Sequence, residues 1–390
     1  MIHVTSRQSA LKLHPTLHPG QTSIQQWLPL GFYSPQKRNI GFTKSKSTEL
    51  IEGFSLTDDR WNISTMKENK MIKICSLDYI LKDSILRQHT LYSNQQDQTK
   101  DAFDFKWKKR ETYESRAVQD SAHAWLVERY LGGDPARRDV LLKPGLKVLD
   151  AGCGAGVSAM LFFSEYLNSI HYLGADISAA VDVAQQRFVE KGLHGEFIQA
   201  DLMHLPFEKP AFDLIFSERV LHHTDSTEEA IKYLSSLLLP GGKFLFYVYN
   251  QKGPIHEFTD DYIRDCLKGL TDQQAWDSLI PLTKLGKTLG DLNITIDVPE
   301  AIPFLDIPSG KISIQRFIYW HVFKAFYRPE FSLDEMNHAN FDWYRPLNCH
   351  RQTPDQIKTW CANAGLIIED MNIQEAGIII VAKKQNRKNR

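Results

Sequence analysis

Residues 148–160 read VLDAGCGAGVSAM: an apolar run ends in an acid, and Gly152, Gly154 and Gly156 follow at every second position. This stretch limits the fold more than any other. Glycine lets a ligand approach the main chain closely and permits backbone angles that other residues avoid. The alternative is a turn with structural meaning only. Three ligands compete for such a loop: a nucleotide's phosphates, a nicotinamide dinucleotide, and S-adenosylmethionine (SAM). A Walker A loop needs Gly-Lys followed by Ser or Thr, which this segment lacks. A dinucleotide fingerprint needs a glycine where Val157 stands, which weakens the pyrophosphate reading.

The flanking sequence alternates between strand and helix patterns. KVLDAG reads as a buried strand and 157–168 as a helix, then HYLGAD as a strand. SAAVDVAQQRFVEKG is a helix with Ser178 as cap and a terminal glycine. GEFIQAD and FDLIFS are two more strands, separated from the strand KFLFYVYN by a helix that Ser226 opens with Glu229 three residues on. This order predicts an α/β fold with a mostly parallel, Rossmann-like sheet and helices on both faces. Upstream, 112–131 reads as a helix ending at Gly132-Gly133. After Gln251 the alternation pauses for about 100 residues that are aromatic-rich and helical in pattern, then resumes at Thr353 with a capped helix and two strands. The expected division is an extension (1–70), a leader with a helix (71–140), a core (141–250 and 353–384), a mainly helical insertion (251–352) and a basic tail (385–390). The insertion is expected over the carboxyl ends of the strands, where open α/β sheets bind ligands.

Two acids strengthen the ligand reading. Asp176 ends the second strand, 20 residues after Gly156, where a carboxylate can accept from both ribose hydroxyls. Asp201 ends the third, placed to accept from an adenine amino group, with Leu202 and Met203 as apolar neighbours for the ring.

VLDAGCGAG, GADIS, ADLMHLPF, FDLIFSERVLHHT and LLLPGGKFLFYVYN stand here in the order and spacing of the class I SAM-dependent methyltransferase motifs. The chain resembles most the branch of ubiquinone/menaquinone-biosynthesis-type enzymes, the type 11 methyltransferases. The resemblance covers roughly 145–250 and 353–384. It implies a seven-stranded sheet whose last strand is antiparallel, with SAM as cofactor across the ends of the first four strands. It also implies that Asp150, Gly152, Gly154 and Gly156 hold the methionine part, Asp176 with Ile177 the ribose, and Asp201 with Leu202 the adenine. Ser217 and Glu218 would border the methyl group.

Methyl transfer needs alignment of a nucleophile more than it needs a catalyst group, and a base only if the acceptor must lose a proton. His222 and His223 are candidates for that base, since histidine titrates near neutrality; the alternative is that the pair packs the loop. Tyr249 is a third catalytic candidate. It shares a strand face with Tyr247, and both can point into a pocket. Just before the last capped helix, Asp342, Trp343, Tyr344, His350 and Arg351 form an acceptor-binding candidate set. In the leader, Trp107, Tyr113 and Arg116 are placed to close over the methionine carboxylate.

Composition removes other classes. The net charge of -1 and the lack of a basic stripe give no pull toward nucleic acid. The motif N/D-P-P-[YF] of amino-directed nucleic-acid and protein enzymes is absent, and SERV stands in its place. Five scattered cysteines without a CxxC pair suit reduced thiols in the cytoplasm better than a disulfide framework or a zinc site. Two adjacent histidines do not make a metal site, and no apolar stretch is long enough for a membrane span. From Met1 to Thr48 there is no Asp or Glu. A disordered extension, a transit peptide and a start nearer Met66 or Met71 all fit that leader. The expected function is a SAM-dependent methyltransferase acting on O, N or C of a small-molecule, lipid-linked or glycan acceptor. A macromolecular (RNA or protein) methyltransferase and a non-catalytic SAM-binding protein are the alternatives.

Overall fold

Each strand that the sequence marks as buried is covered on both faces, and together they form the centre of the molecule. The computed structural model describes residues 68–69, 71–207 and 210–386. The expectations for residues 1–67 and for the last four residues of the basic tail lie outside them.

The chain begins with a three-stranded meander, β1 (Met71–Ile74), β2 (Leu77–Lys82) and β3 (Ile85–Gln88). Two leader helices follow, α1 (Asn94–Trp107) and α2 (Arg116–Leu131), then a short α3 (Arg137–Leu141). The core alternates β4 (Lys147–Ala151), α4 (Val157–Phe162), β5 (His171–Asp176), α5 (Ala180–Glu190), β6 (Glu196–Gln199), β7 (Phe212–Glu218), α6 (Thr227–Ser236) and β8 (Leu238–Tyr249). The insertion holds α7 (Pro254–Leu267), α8 (Asp272–Asp291), a hairpin of β9 (Thr295–Val298) and β10 (Gly310–Ser313), α9 (Ile314–His321) and α10 (Leu333–Tyr344). The core closes with α11 (Pro354–Asn363), β11 (Leu366–Ile373) and β12 (Gly377–Lys384).

The main sheet has ten strands in the order β1-β2-β3-β6-β5-β4-β7-β8-β12-β11, not seven. The seven expected strands are contiguous within it, and β12 runs antiparallel to β8 as expected. The three extra strands extend the sheet beyond β6, where β3 pairs parallel with β6. Their turns explain why the sequence hides them. Both two-residue turns hold both residues at positive φ, Cys75 and Ser76 at 50° and 66° and Asp83 and Ser84 at 54° and 60°. Hairpin turns of this hand usually announce themselves with Asn-Gly or Asp-Gly, and neither is present here.

Apolar side chains cover both faces. On one, Phe244, Phe246 and Val248 of β8 pack with Ile231 and Leu234 of α6 and Ile357 of α11. On the other, Phe216 of β7 stacks on Phe162 of α4 at 5.2 Å between centroids, and α5 adds Phe188. Fully burying each such ring stabilises the fold by roughly 1.5–3 kcal/mol. Because β8 alternates, Tyr247 and Tyr249 share the second face. Thr353 and Gln356 cap α11 reciprocally, as the sequence predicts, whereas Ser178 is not the cap of α5, which begins after Ala179. No helix among the described residues is long and apolar enough to cross a membrane.

Candidate active site

The glycine loop leaves β4 with Gly152, Gly154 and Gly156 at φ of 90°, 50° and 72°. All three lie in the left-handed region that side chains avoid. A Cβ on Gly152 would stand 2.3 Å from both γ-carbons of Val220, and one on Gly154 would stand 2.9 Å from the Trp107 ring. The bare backbone therefore serves the chain's own packing as well as a ligand. The Gly154 N–H donates to Asp176 Oδ2 at 2.9 Å, while Oδ1 accepts from the Ser178 N–H at 2.8 Å and its hydroxyl at 2.6 Å. Burial raises the Asp176 carboxyl against these hydrogen bonds. Asp201 accepts from the Met203 N–H at 2.9 Å, and its own N–H donates to Gln88 Oε1 of β3 at 2.9 Å. The strand extension thus steadies the third acid.

A cavity of about 640 Å³ opens above these residues, and Gly152, Gly154, Asp176, Ile177, Asp201 and Leu202 line it. Glu218, at the end of β7, lines it too; it accepts from the Tyr130 hydroxyl at 2.6 Å and from Arg129, and Arg219 Nε stands 3.2 Å away. A shaped, mostly enclosed space with a few convergent polar groups is the usual form of a cofactor site. The cradle fits a nucleoside-bearing cofactor: two strand-end carboxylates, an apolar neighbour in Leu202 and an open main chain.

The comparisons with known proteins agree. A family described as "Methyltransferase domain" matches residues 149–246. Phosphoethanolamine N-methyltransferase 1 of Arabidopsis thaliana is 31% identical over 142 residues, 36% of this chain and 28% of that protein. Sterol 24-C-methyltransferase erg6 of Schizosaccharomyces pombe is 25% identical over 209 residues, 53% of this chain and 46% of that protein. The probable tRNA methyltransferase 9B of Bos taurus is 33% identical over 111 residues, 27% and 22% of the two chains. The chain spans less than half the length of each of these relatives. Residues 149–246 are a class I SAM-dependent methyltransferase domain. SAM is the cofactor that goes with it.

Three residues expected to touch SAM do not line the methyltransferase cavity. Asp150 is 2% exposed beneath the loop, where it accepts from the Tyr172 hydroxyl at 2.8 Å. Ser217 donates to the Ala151 carbonyl at 2.8 Å and ties β7 to β4. Gly156 faces the Phe188 ring. They support the cavity wall from behind. Burial lifts the Asp150 carboxyl to about 7 against the Tyr172 hydrogen bond. A carboxyl ionises near 4 in an unfolded chain, so its folded pKa is raised. The stability it contributes is full below about pH 4 and is lost as pH rises through 7. Asp150→Asn is expected to flatten the decline in unfolding free energy between about pH 4 and 7, by an amount on the order of a few kcal/mol, as read by denaturant titration across that range. Parallel slopes for parent and variant would contradict this.

On the acceptor side, His223, Tyr247, Tyr249 and Trp343 all line the cavity. His223 Nδ1 lies 2.6 Å from the Asn348 carbonyl, which makes Nδ1 the protonated nitrogen and leaves Nε2 an acceptor. Burial lowers its pKa to about 4, so the ring is neutral at physiological pH. Its neighbour His222 does not line the cavity. It is fully buried, lies against the Tyr249 ring at 3.7 Å, and burial keeps it neutral. The packing alternative describes His222.

Four other expectations are corrected. Tyr344 is buried behind the wall and accepts from the Lys324 N–H at 2.8 Å. The His350 ring meets the Thr224 carbonyl at 3.0 Å, and Arg351 pairs with Glu257 and Asp261, each at 2.7 Å. Both therefore bind the loop to α7 and to the start of α6, and they line a separate, shallower cleft. Arg116, with a side chain 94% exposed, pairs with Asp120. Trp107 and Tyr113 do line the cavity.

One cation that the leader brings to the site is Lys106. It pairs with Asp342 of α10, whose other oxygen accepts from the Tyr249 hydroxyl at 3.2 Å. Burial alone would raise the Asp342 carboxyl, but Lys106, His223 and Arg219 hold it far below the usual carboxylate range. Sequence reasoning missed Lys106, and also Arg129, which stands beside Tyr130 on the buried side of α2. The signal for both was weak: a charged residue adjoining an aromatic one at the inner face of a helix.

Proposed function

We propose that this chain transfers the methyl group of SAM to a small-molecule acceptor, free or lipid-linked, held under the insertion. One observation carries the reading. A single cavity joins the glycine loop, Asp176 and Asp201 to residues that only α9, α10 and the leader helices supply. Its volume of about 640 Å³ suits small ligands, which occupy roughly 300–1,000 Å³.

When bound, SAM supplies a methyl group on a positively charged sulfur that is a good leaving group. The chain's own residues then act in three ways. Gly152, Gly154, Asp176 and Asp201 hold the cofactor. Trp107, Tyr249 and Trp343 exclude water and orient the acceptor, which provides most of what in-line displacement requires. His223 offers Nε2 as proton acceptor where the nucleophile must lose a proton.

The test supplies the full chain with methyl-labelled SAM and separated metabolite, lipid, RNA and protein fractions. Label is expected in a metabolite or lipid fraction. Label confined to RNA or protein would replace the acceptor class, and cofactor binding without transfer to any fraction would remove catalysis. With an acceptor in hand, His223→Ala is expected to lower kcat by about 100-fold or more with KM for SAM unchanged. An unchanged kcat would show that the acceptor needs no base.

A further inference from the structure

The wall of the cavity around the insertion carries four cations that lie over aromatic faces. The Arg328 guanidinium lies 5.3 Å from the Trp125 ring centre and that of Arg219 5.8 Å from the same ring. Arg316 lies over Tyr319 at 5.4 Å, and the Lys324 ammonium over Trp343 at 4.3 Å. All four line the cavity.

Their carboxylate partners are few. Among the described residues none pairs with Arg316 or Lys324. Arg219 shares Glu218 with Arg129. Arg328 has only Glu330 at 3.7 Å, and its buried Nε has no hydrogen-bond partner among the described residues. Glu335, the acid of α10 on this wall, is occupied in capping its own helix through the Ser332 N–H. Arg219 is also held at a φ of 61°, a conformation that costs a non-glycine residue on the order of 1 kcal/mol, at the strand end that borders the cavity. Around the cations stands an apolar wall: Trp125 and Trp320 pack against the cluster of Tyr319, Phe326 and Met336.

A guanidinium stacked on a ring keeps the N–H groups at its edge free, and their planar fork matches a carboxylate or phosphate. We propose that the methyl acceptor is an oxyanion, a phosphate or carboxylate on an apolar or ring-bearing body, with Arg316 and Arg328 gripping the anionic group and Trp125 and Tyr319 packing on the body. This inference rests on the methyl-transfer reading above for the word acceptor, but the binding site it describes does not depend on catalysis.

The test titrates the full chain, saturated with S-adenosylhomocysteine so that the cofactor's own carboxylate site is filled, with three probes of one ring size: 2-naphthyl phosphate, 2-naphthoate and neutral 2-naphthol. At least one anion is expected to bind about tenfold or more tighter than the naphthol, and tighter at low salt than at high. Which anion it is separates a phosphate-bearing from a carboxylate-bearing acceptor. The double variant Arg316→Gln/Arg328→Gln is expected to lose about tenfold or more of the anion affinity while binding S-adenosylhomocysteine as before. Arg316→Gln alone, which strands no carboxylate, supplies the same readout if the double variant does not fold. Equal binding of naphthol and the anions, no binding of either anion, or anion affinity unmoved by both variants would overturn the proposal. If S-adenosylhomocysteine does not bind while the anions do, the cofactor reading falls and the anion site stands.

Discussion

Replacing Asp176 by alanine is expected to weaken SAM binding by about 100-fold or more, with the fold retained. A ribose diol donating to one carboxylate makes two charge-assisted hydrogen bonds, each worth roughly 1.5–3 kcal/mol. The carboxylate also holds the loop locally, since it accepts from Gly154 once and from Ser178 twice. Asp176→Asn separates the two roles. Its side-chain carbonyl can keep one of the backbone contacts but offers the ribose a neutral acceptor, so it is expected to lie between parent and alanine variant. Calorimetric titration with SAM, and with NADH as a control, measures all three chains. Undiminished SAM affinity in the alanine variant would remove Asp176 from the ribose site, and saturable NADH binding would reopen the dinucleotide reading of the glycine loop.

Lys106→Met is expected to destabilise the chain more than any other single change at the site. The side chains of Lys106 and Asp342 are 5% and 14% exposed. Removing one partner leaves a charge buried and uncompensated, at a cost of roughly 3–5 kcal/mol. Lys106→Met/Asp342→Leu should recover most of that stability, because an apolar pair of similar volume needs no desolvation of charge. The recovered chain would still lack the acceptor for the Tyr249 hydroxyl, so activity should stay low while the denaturation midpoint returns. A double variant no more stable than Lys106→Met would mean that the pair does not act as a unit.

The glycine-loop side of the cavity was legible in the sequence and the side under the insertion was obscure, for a physical reason. The glycine loop, Asp176 and Asp201 sit at ends of strands that follow each other closely in the chain, so their spacing is set by local geometry. Val148, Leu149, Leu173 and Ile198 are fully buried on both sides of the sheet, which is why those strands read as unbroken apolar runs. The side under the insertion depends on where that segment folds back. Trp343 and Tyr344 are adjacent, yet one lines the cavity and the other lies behind it. No spacing distinguishes them, because α10 ends there and its rotation is fixed by packing on α8. His350 and Arg351 looked like acceptor residues because a polar pair before a helix is ambiguous, and their partners Thr224, Glu257 and Asp261 are distant in sequence. β1, β2 and β3 escaped notice because their turns use Cys-Ser and Asp-Ser where glycine is usual.

The contacts of α1 bear on how the molecule is made. Gln98 reaches the Leu347 N–H and Thr99 the Asn348 N–H, each across 249 positions, and Gln96 holds the Asn348 side chain at 3.0 Å. A ribosome adding roughly 5–20 residues per second delivers those partners roughly 10–50 s after α1 has been synthesised. During that interval Lys106 has no Asp342 to pair with, although Trp107 can already meet the glycine loop. The strands β4 to β8 can pair in the meantime, so the nucleoside cradle is complete well before its roof. Assembly of the site is therefore a late, long-range event, and ligands that favour the closed arrangement should speed its completion more than they speed formation of the sheet.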